Sequence, residues 1–542
     1  MGTSLATPVS SERLQREEYR RERSFAAVLV TALTFFAVLV NGYHPYAEDG
    51  GVYLPEIKRL LDPGLYPHRA EFVVGHLRYS LFAPAMAGLV RETHLSVEMV
   101  LLLMYLATFW VTLFAAWLLA ARCYASREAR GGAIALLAAW MTMPIAGTSL
   151  MLMDPYVTAR SLSTPCVLLA LVGALKFLAP RFELEEESSR ERRLGLVLCC
   201  TALGGAGMMH PLMAAYGLGA VLLLLGVVLS SSSMVRVFGT MGLGATAVAV
   251  AAGLYLSAPP ENEIYQRVML TRDYWFLSRW HWYELIGLIA PVVILSVVAT
   301  KRRREGDAAR VGLARMTVAA GVTATAVALL FARAGMATHL VARMQPLRIF
   351  QLVYIVMTLV VGAALGEWVL RRRPLRWVVV FSLLGGVMMA AERMTFPASR
   401  HLELPGALAW SGSDRGNQDQ ENQWEQAFAW VGRNTPKDAM FALDAQYITK
   451  AGEDAEGFRA IAERSALPDF SKDGGVVTNK PELAAEWLQG QVAQEKLSEE
   501  SDALRLAALR PMGVTWVVLE RSAVTGFACL YGNDAVKVCR LP

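Results

Sequence analysis

Long apolar blocks alternate with short polar connections over residues 1–394, and the alternation stops near residue 395. Each block approaches the ~20 residues a helix needs to cross a bilayer. The pattern predicts about eleven spans, at 25–40, 95–121, 131–150, 162–179, 194–209, 212–229, 238–257, 285–300, 311–331, 347–370 and 377–391. A shorter run at 81–90 contains Pro84 and is too brief to span, so an interfacial or re-entrant segment is expected. His210-Pro211 interrupts one long apolar run. Proline breaks the helical ladder, so a tight turn or a kink falls there. The turn is preferred because it keeps the charge pattern described below.

Residues 395–542 have a different texture, charged and mixed, with the length of one small domain. Ser411-Gly412-Ser413-Asp414-Arg415-Gly416-Asn417 reads as a loop or linker. Trp424, Phe428 and Val431 recur at helical spacing, and Asn434-Thr435-Pro436 ends that helix. Strands are expected at 439–443 and 514–519, and a helix at 481–494. A hairpin is expected from 527–531 and 535–538 around Gly532-Asn533-Asp534. The expected fold is therefore a polytopic α-helical membrane protein with a small C-terminal α/β domain. No internal repeat of 20–50 residues is evident.

Composition agrees with that class. Of 542 residues, 54% are hydrophobic and 18% charged, against ~25% charged in soluble domains. The net charge of +5 does not imply nucleic acid, because the basic residues stand at the ends of the spans. Arg13, Arg16, Arg20, Arg21 and Arg23 precede the first span. Arg122, Arg127 and Arg130, then Arg181, Arg190, Arg192 and Arg193, Arg236, Lys301–Arg304 and Arg371–Arg373 with Arg376 occupy alternate connections. All fall on one side, which the positive-inside rule makes cytoplasmic. The expected layout is a cytoplasmic tail at 1–24, a membrane domain at 25–394 with a first outer loop at 41–94, and an outer domain at 395–542. The first span has a long charged leader without a small-residue cleavage site, so it reads as an anchor. Cys123, Cys166, Cys199 and Cys200 lie in or beside spans, where cysteine is a small hydrophobe. Cys529 and Cys539 flank the terminal hairpin, where a disulfide is expected. The outer domain has no Asn-x-Ser/Thr sequon, which favours a bacterial inner membrane over a secretory pathway.

This topology gathers polar residues on the outer face. The first loop holds Glu48 and Asp49 within Tyr43-His44-Pro45-Tyr46-Ala47-Glu48-Asp49-Gly50-Gly51, followed by His68, Arg69 and His76. Asp154 and Arg160 follow, then His210, then Arg267, Arg272, Asp273, Arg279 and His281, and finally Arg333, His339, Arg343 and Arg348. Acids come early and arginines late. A carboxylate can take a hydroxyl proton, and guanidinium groups can hold a phosphate through paired hydrogen bonds. Each residue also has a plain reading. Glu48-Asp49 can cap the helix beginning near Pro55 or pair with Arg69. Asp154 before Pro155 is a turn or N-cap signal, and His210 suits a hydrogen-bonded core histidine. Arg343 and Arg348 can snorkel to head groups.

On these residues the chain resembles the GT-C superfamily of membrane glycosyltransferases, which use polyprenyl-phosphate-linked sugars. A first span leads to an acidic motif, Glu48-Asp49, and then to an amphipathic segment, Pro55-Glu56-Ile57-Lys58-Arg59-Leu60-Leu61. Many spans end in an outer domain, whose Trp430-Val431-Gly432-Arg433-Asn434-Thr435-Pro436-Lys437-Asp438 is similar to the helix-turn-strand opening of bacterial members. The resemblance implies an inverting transferase with Asp49 or Glu48 as catalytic base. Asp154, Arg160 and Glu48 would position the acceptor or a divalent metal, and Arg343, Arg348 and His210 would hold the donor phosphate. Its partners would be the lipid bilayer, a polyprenyl-phosphate sugar and a saccharide, lipid or protein acceptor. Here the acids are Glu-Asp followed by two glycines, whereas many members show Asp-Glu or Asp-x-Asp. A carrier of lipid-linked saccharides and a non-catalytic scaffold are the alternatives. Convergence of Asp49, Asp154 and the outer arginines on one cavity would discriminate against the scaffold.

Overall fold

The computed structural model describes residues 8–75, 79–178, 189–229, 233–300, 308–406, 422–449 and 457–542. His76, the Ser411–Asn417 stretch, Arg181 and Lys301–Arg304 lie outside the described residues. Among the described residues, nine helices are long and apolar enough to cross a membrane, as in a multi-pass helical protein. A small mixed sheet follows them.

Nine falls short of the expected eleven at two places. The apolar block at 131–150 is helical only as far as Ala139, in the Arg127–Ala139 helix. Beyond it the chain loops back on itself, with Pro144 bridged to Met151 and left-handed backbone at Ala146 and Ser149. The block at 194–209 lies inside the Ser189–Met209 helix, whose first turn is charged, so its apolar part is short. The 81–90 run forms the Phe82–Thr93 helix, of only 12 residues. At His210 the chain folds back. A Cβ on Gly217 would lie 3.4 Å from the Leu203 side chain, whereas one straight helix would part residues fourteen apart by ~21 Å. Pro211 opens the returning Pro211–Leu229 helix, where its missing N–H is harmless.

The basic connections meet at one end of the bundle. Arg130 and Arg127 lie 3.7 and 3.8 Å from Glu22. Arg372 Nε donates to Glu128 at 2.8 Å, and Arg310 lies over the Tyr124 ring.

The Arg127–Ala139 helix packs on the Phe350–Ala364 helix and its continuation Leu365–Leu370. Contact is backbone on backbone. A Cβ on Gly366 would fall 2.0 Å from the Glu128 carbonyl oxygen, and one on Gly132 would fall 2.3 Å from that of Gly362. Small residues permit such approach in membrane bundles. Gly366→Leu is expected to destabilise the fold by at least ~1–3 kcal/mol, because rigid backbone must move to make room. Thermal unfolding in detergent measures it, and an unchanged Tm would refute the close packing.

The C-terminal sheet comprises β1 (Met440–Ala442), β2 (Ser465–Ala466), β3 (Trp516–Glu520), β4 (Ala528–Gly532) and β5 (Val536–Arg540), in the order β2-β1-β3-β5-β4. β1 is parallel to β2 and β3, and the β3-β5-β4 part is antiparallel. The expected strands at 439–443 and 514–519 are β1 and β3, and the hairpin is β4–β5. Cys529 and Cys539 face each other across that hairpin and are disulfide-bonded. The Gln423–Asn434 helix is capped by Asn422 and buries Trp424, Phe428 and Val431. The helix expected at 481–494 begins as a tighter turn, Pro481–Leu483, and continues as Ala484–Gln494.

The sheet domain is seated on the first-loop helix Gly50–Leu61. Lys58 donates to the Ala460 carbonyl at 2.9 Å and pairs with Glu463 at 2.7 Å. Gly457 N–H donates to the Tyr46 carbonyl at 3.0 Å. The Gly51 and Gly457 backbones touch, since a Cβ on Gly51 would lie 2.9 Å from Gly457 Cα. One on Gly50 would lie 2.4 Å from the Pro45 carbonyl oxygen. Gly51 is thus where the sheet domain rests on the first loop, while Gly50 allows the tight turn over Pro45.

Candidate functional site

A cavity of about 1010 Å³ opens between the first loop, the helical bundle and the sheet domain. Glu48 and Asp49 line it beside Asp154, Arg160, His210, Arg343 and Arg348. Every expected site residue outside the disulfide therefore reaches one space, although the residues come from four separate regions of the chain.

Asp49 immediately precedes the Gly50–Leu61 helix, yet its side chain makes no capping hydrogen bond. The predicted partner Arg69 is occupied elsewhere, with Glu486. Glu48 sits at φ 50°, a left-handed backbone that costs a non-glycine residue energy and is concentrated at functional sites. The two adjacent carboxylates share one cation. Lys472 Nζ pairs with Glu48 Oε2 and lies 3.2 Å from Asp49 Oδ1. Arg160 Nη2 stands 3.9 Å from the other Asp49 oxygen, Oδ2. Burial pushes the Asp49 carboxyl up, but Lys472, Arg160 and Arg348 together outweigh it and hold it well below the usual carboxylate range.

Asp154 lies in the loop before the Ala159–Leu178 helix. It does not cap that helix. It is bound by Arg160 Nη2 at 2.6 Å, and both are buried, 3% and 4% exposed. Burial raises the Asp154 carboxyl above its ordinary value, with Arg160 opposing. Two carboxyl groups of one cavity are thus driven in opposite directions, an arrangement that separates acid and base roles.

His210 Nδ1 accepts from the Met213 N–H at 3.3 Å, so the ring caps the Pro211–Leu229 helix while lining the cavity. Arg343 is partly committed to holding the domains together. Its Nη1 donates to the Thr478 carbonyl at 3.1 Å and to the Tyr265 hydroxyl at 3.3 Å. The Nε of Arg343 is itself buried without a hydrogen-bond partner among the described residues, and Arg348 shares this feature, as does the side-chain oxygen of Gln345. Arg348 also borders a small apolar pocket with Val167, Tyr216 and Leu352. An unpartnered buried guanidinium N–H is costly, and an anion in the cavity would satisfy it.

One side chain of the cavity escapes sequence reading, Lys472, and the contacts of a second, Arg272, do too. Lys472 belongs to the sheet domain and lies 423 positions from Asp49. Arg272 donates from Nη1 to the Ser471 carbonyl at 2.6 Å and from Nη2 to that of Phe470 at 2.9 Å. Arg272 stands among the outward residues expected above, but nothing near it in sequence indicates this target. Lys472 carried no periodic or motif signal.

The donor set does not suit a divalent metal. Glu48 and Asp49 are bonded to an ammonium group, and Asp154 to a guanidinium. Among the described residues no group of three or more His, Cys, Asp or Glu is arranged to hold a metal ion. Neither protein-family models nor the curated proteins give a match to this chain.

Proposed function

We propose that the protein is an inverting glycosyltransferase of the GT-C type, moving a sugar from a polyprenyl-phosphate donor to an acceptor hydroxyl at the outer face of a bacterial inner membrane. The convergence of the Glu48-Asp49 pair and two arginines with unpartnered buried Nε atoms, Arg343 and Arg348, on one large cavity at the mouth of a helical bundle carries this reading. A scattered set would have suited a scaffold.

In the proposed reaction the acceptor oxygen attacks the anomeric carbon from the face opposite the phosphate. The new carbon–oxygen bond forms as the bond to the phosphate oxygen breaks. The bonding pair leaves with the polyprenyl phosphate, and the hydroxyl proton passes to Asp49. Of that carboxylate's two oxygens, Oδ1 faces Lys472, and Oδ2 carries only the longer 3.9 Å contact with Arg160. Oδ2 is the oxygen assigned to the proton. Arg348, with Arg343 and His210 beside it, receives the departing phosphate.

Incubation of purified protein with polyprenyl-phosphate-linked sugars tests the reading. Released polyprenyl phosphate and an acceptor carrying the sugar with inverted configuration are expected. Donor binding without release from any such sugar would replace transfer by carriage. In the same assay Arg348→Lys should weaken donor binding by roughly tenfold or more, since a charged hydrogen bond contributes ~1.5–3 kcal/mol and the lysine cannot reproduce the planar fork. Unchanged donor affinity would mean that Arg348 does not hold the phosphate.

A further inference from the structure

We propose that Lys472 is the resident cation of the first-loop acid pair, a positioning residue that takes the place a divalent metal would otherwise hold. The proposal depends on the transferase reading only for its effect on turnover; occupancy of the acid pair is independent of it.

The lysine bridges the two carboxylates, bonded to Glu48 Oε2 and 3.2 Å from Asp49 Oδ1. A magnesium-like ion needs several oxygen ligands at ~2.0–2.1 Å in an octahedron. Here the ammonium group holds one oxygen of each acid, and the Arg160 guanidinium stands beside another. A second cation would meet positive charge from both sides.

The lysine is also fixed more firmly than a surface lysine. Its backbone N–H donates to Asp469 Oδ1 at 2.6 Å. Asp473 accepts from the Asp469 N–H at 2.8 Å and pairs with Arg459 at 2.8 Å. Arg272 reaches from the membrane domain to grip the Phe470 and Ser471 carbonyls just before it. Gly474 leaves the space that Arg272 enters, because a Cβ there would lie 2.1 Å from Nη2. Buried charges thus converge on the segment that delivers one ammonium group, and that group is 16% exposed in its side chain. Burial lowers the affinity of Lys472 for its proton, but Glu48 and Asp49 raise it further, so the charge persists at every working pH. A lysine carries three N–H donors. Two serve the acids, and Lys472 lines the cavity beside them.

Manganese binding measured by electron paramagnetic resonance tests the proposal without any substrate. Wild type is expected to show no saturable Mn²⁺ site. Lys472→Met, which keeps the stem and removes the charge, is expected to gain one that Glu48→Gln then abolishes. Lys472→Met should lose transfer on the order of 10²-fold and recover with added Mn²⁺, whereas Lys472→Arg should retain charge, fold and Mn²⁺ silence. Saturable Mn²⁺ binding by wild type that disappears in Glu48→Gln overturns the proposal, and needs no lysine variant to fold. A folded Lys472→Met that binds no Mn²⁺ overturns it equally. Absence of sugar transfer in wild type would remove the transferase reading but leave the binding result to stand alone.

Discussion

Replacing Asp49 by Asn is expected to lower sugar transfer by ~10²–10⁴-fold, the range for loss of a general base, while donor binding and folding persist. The amide keeps the shape of the carboxylate but cannot take the hydroxyl proton. Lys472 retains Glu48 as its partner, so no buried cation is abandoned. The donor phosphate is assigned to Arg348 on another element. The pH dependence follows from the same contacts. Asp49 is held below its ordinary value by Lys472 and Arg160, so it stays ionised through neutral and mildly acidic solution. The contribution of its ion pairs to stability is present above the unfolded value of ~3.9 and is lost as pH falls through the lower folded value. Transfer by wild type should therefore hold steady down to about pH 4 on this group's account. Measuring transfer and donor binding in one preparation checks both. Full transfer in Asp49→Asn and in Glu48→Gln would remove the first-loop base.

Asp154→Ala should have the opposite signature, with loss of the fold rather than loss of one chemical step. Asp154 is the 2.6 Å partner of Arg160, and the pair is almost wholly enclosed. Removing one member of a buried ion pair leaves an uncompensated charge and costs ~3–5 kcal/mol. Arg160 keeps Asp49 at 3.9 Å, which places the expected loss near the lower end. Chemical or thermal unfolding in detergent, compared with Asp49→Asn, reads the difference. An Asp154→Ala protein as stable as wild type would show that water enters the cavity freely enough to solvate Arg160.

Much of this was legible beforehand because the physics is local. Apolar blocks matched to bilayer thickness fixed the helical class, the His210-Pro211 interruption marked a fold-back, and Gly532-Asn533-Asp534 marked the terminal hairpin. The break after Ala139 was hidden because Trp140, Met141 and Met143 are as apolar as the helix before them; the loop is defined by backbone conformation at Ala146 and Ser149. β2 is two residues long and exists only through pairing with β1. The acid pair was visible as two adjacent charges beyond a span. Its counter-ion was not, since no periodicity relates residues joined only by the final docking of one domain on another. For the same reason the two glycines after Asp49 read as a departure in the motif, although the second of them, Gly51, is the surface on which Gly457 rests.

The separation of Glu48 from Lys472, 424 positions, also sets a clock. A ribosome adding ~5–20 residues per second needs roughly 20–85 s to travel from the acids to the lysine. Throughout that interval Glu48 and Asp49 exist without the lysine that bridges them. The nascent membrane portion is therefore made with an acid pair that still lacks its lysine. It acquires its finished electrostatics only when the last quarter of the polypeptide has been made and folded back onto the beginning.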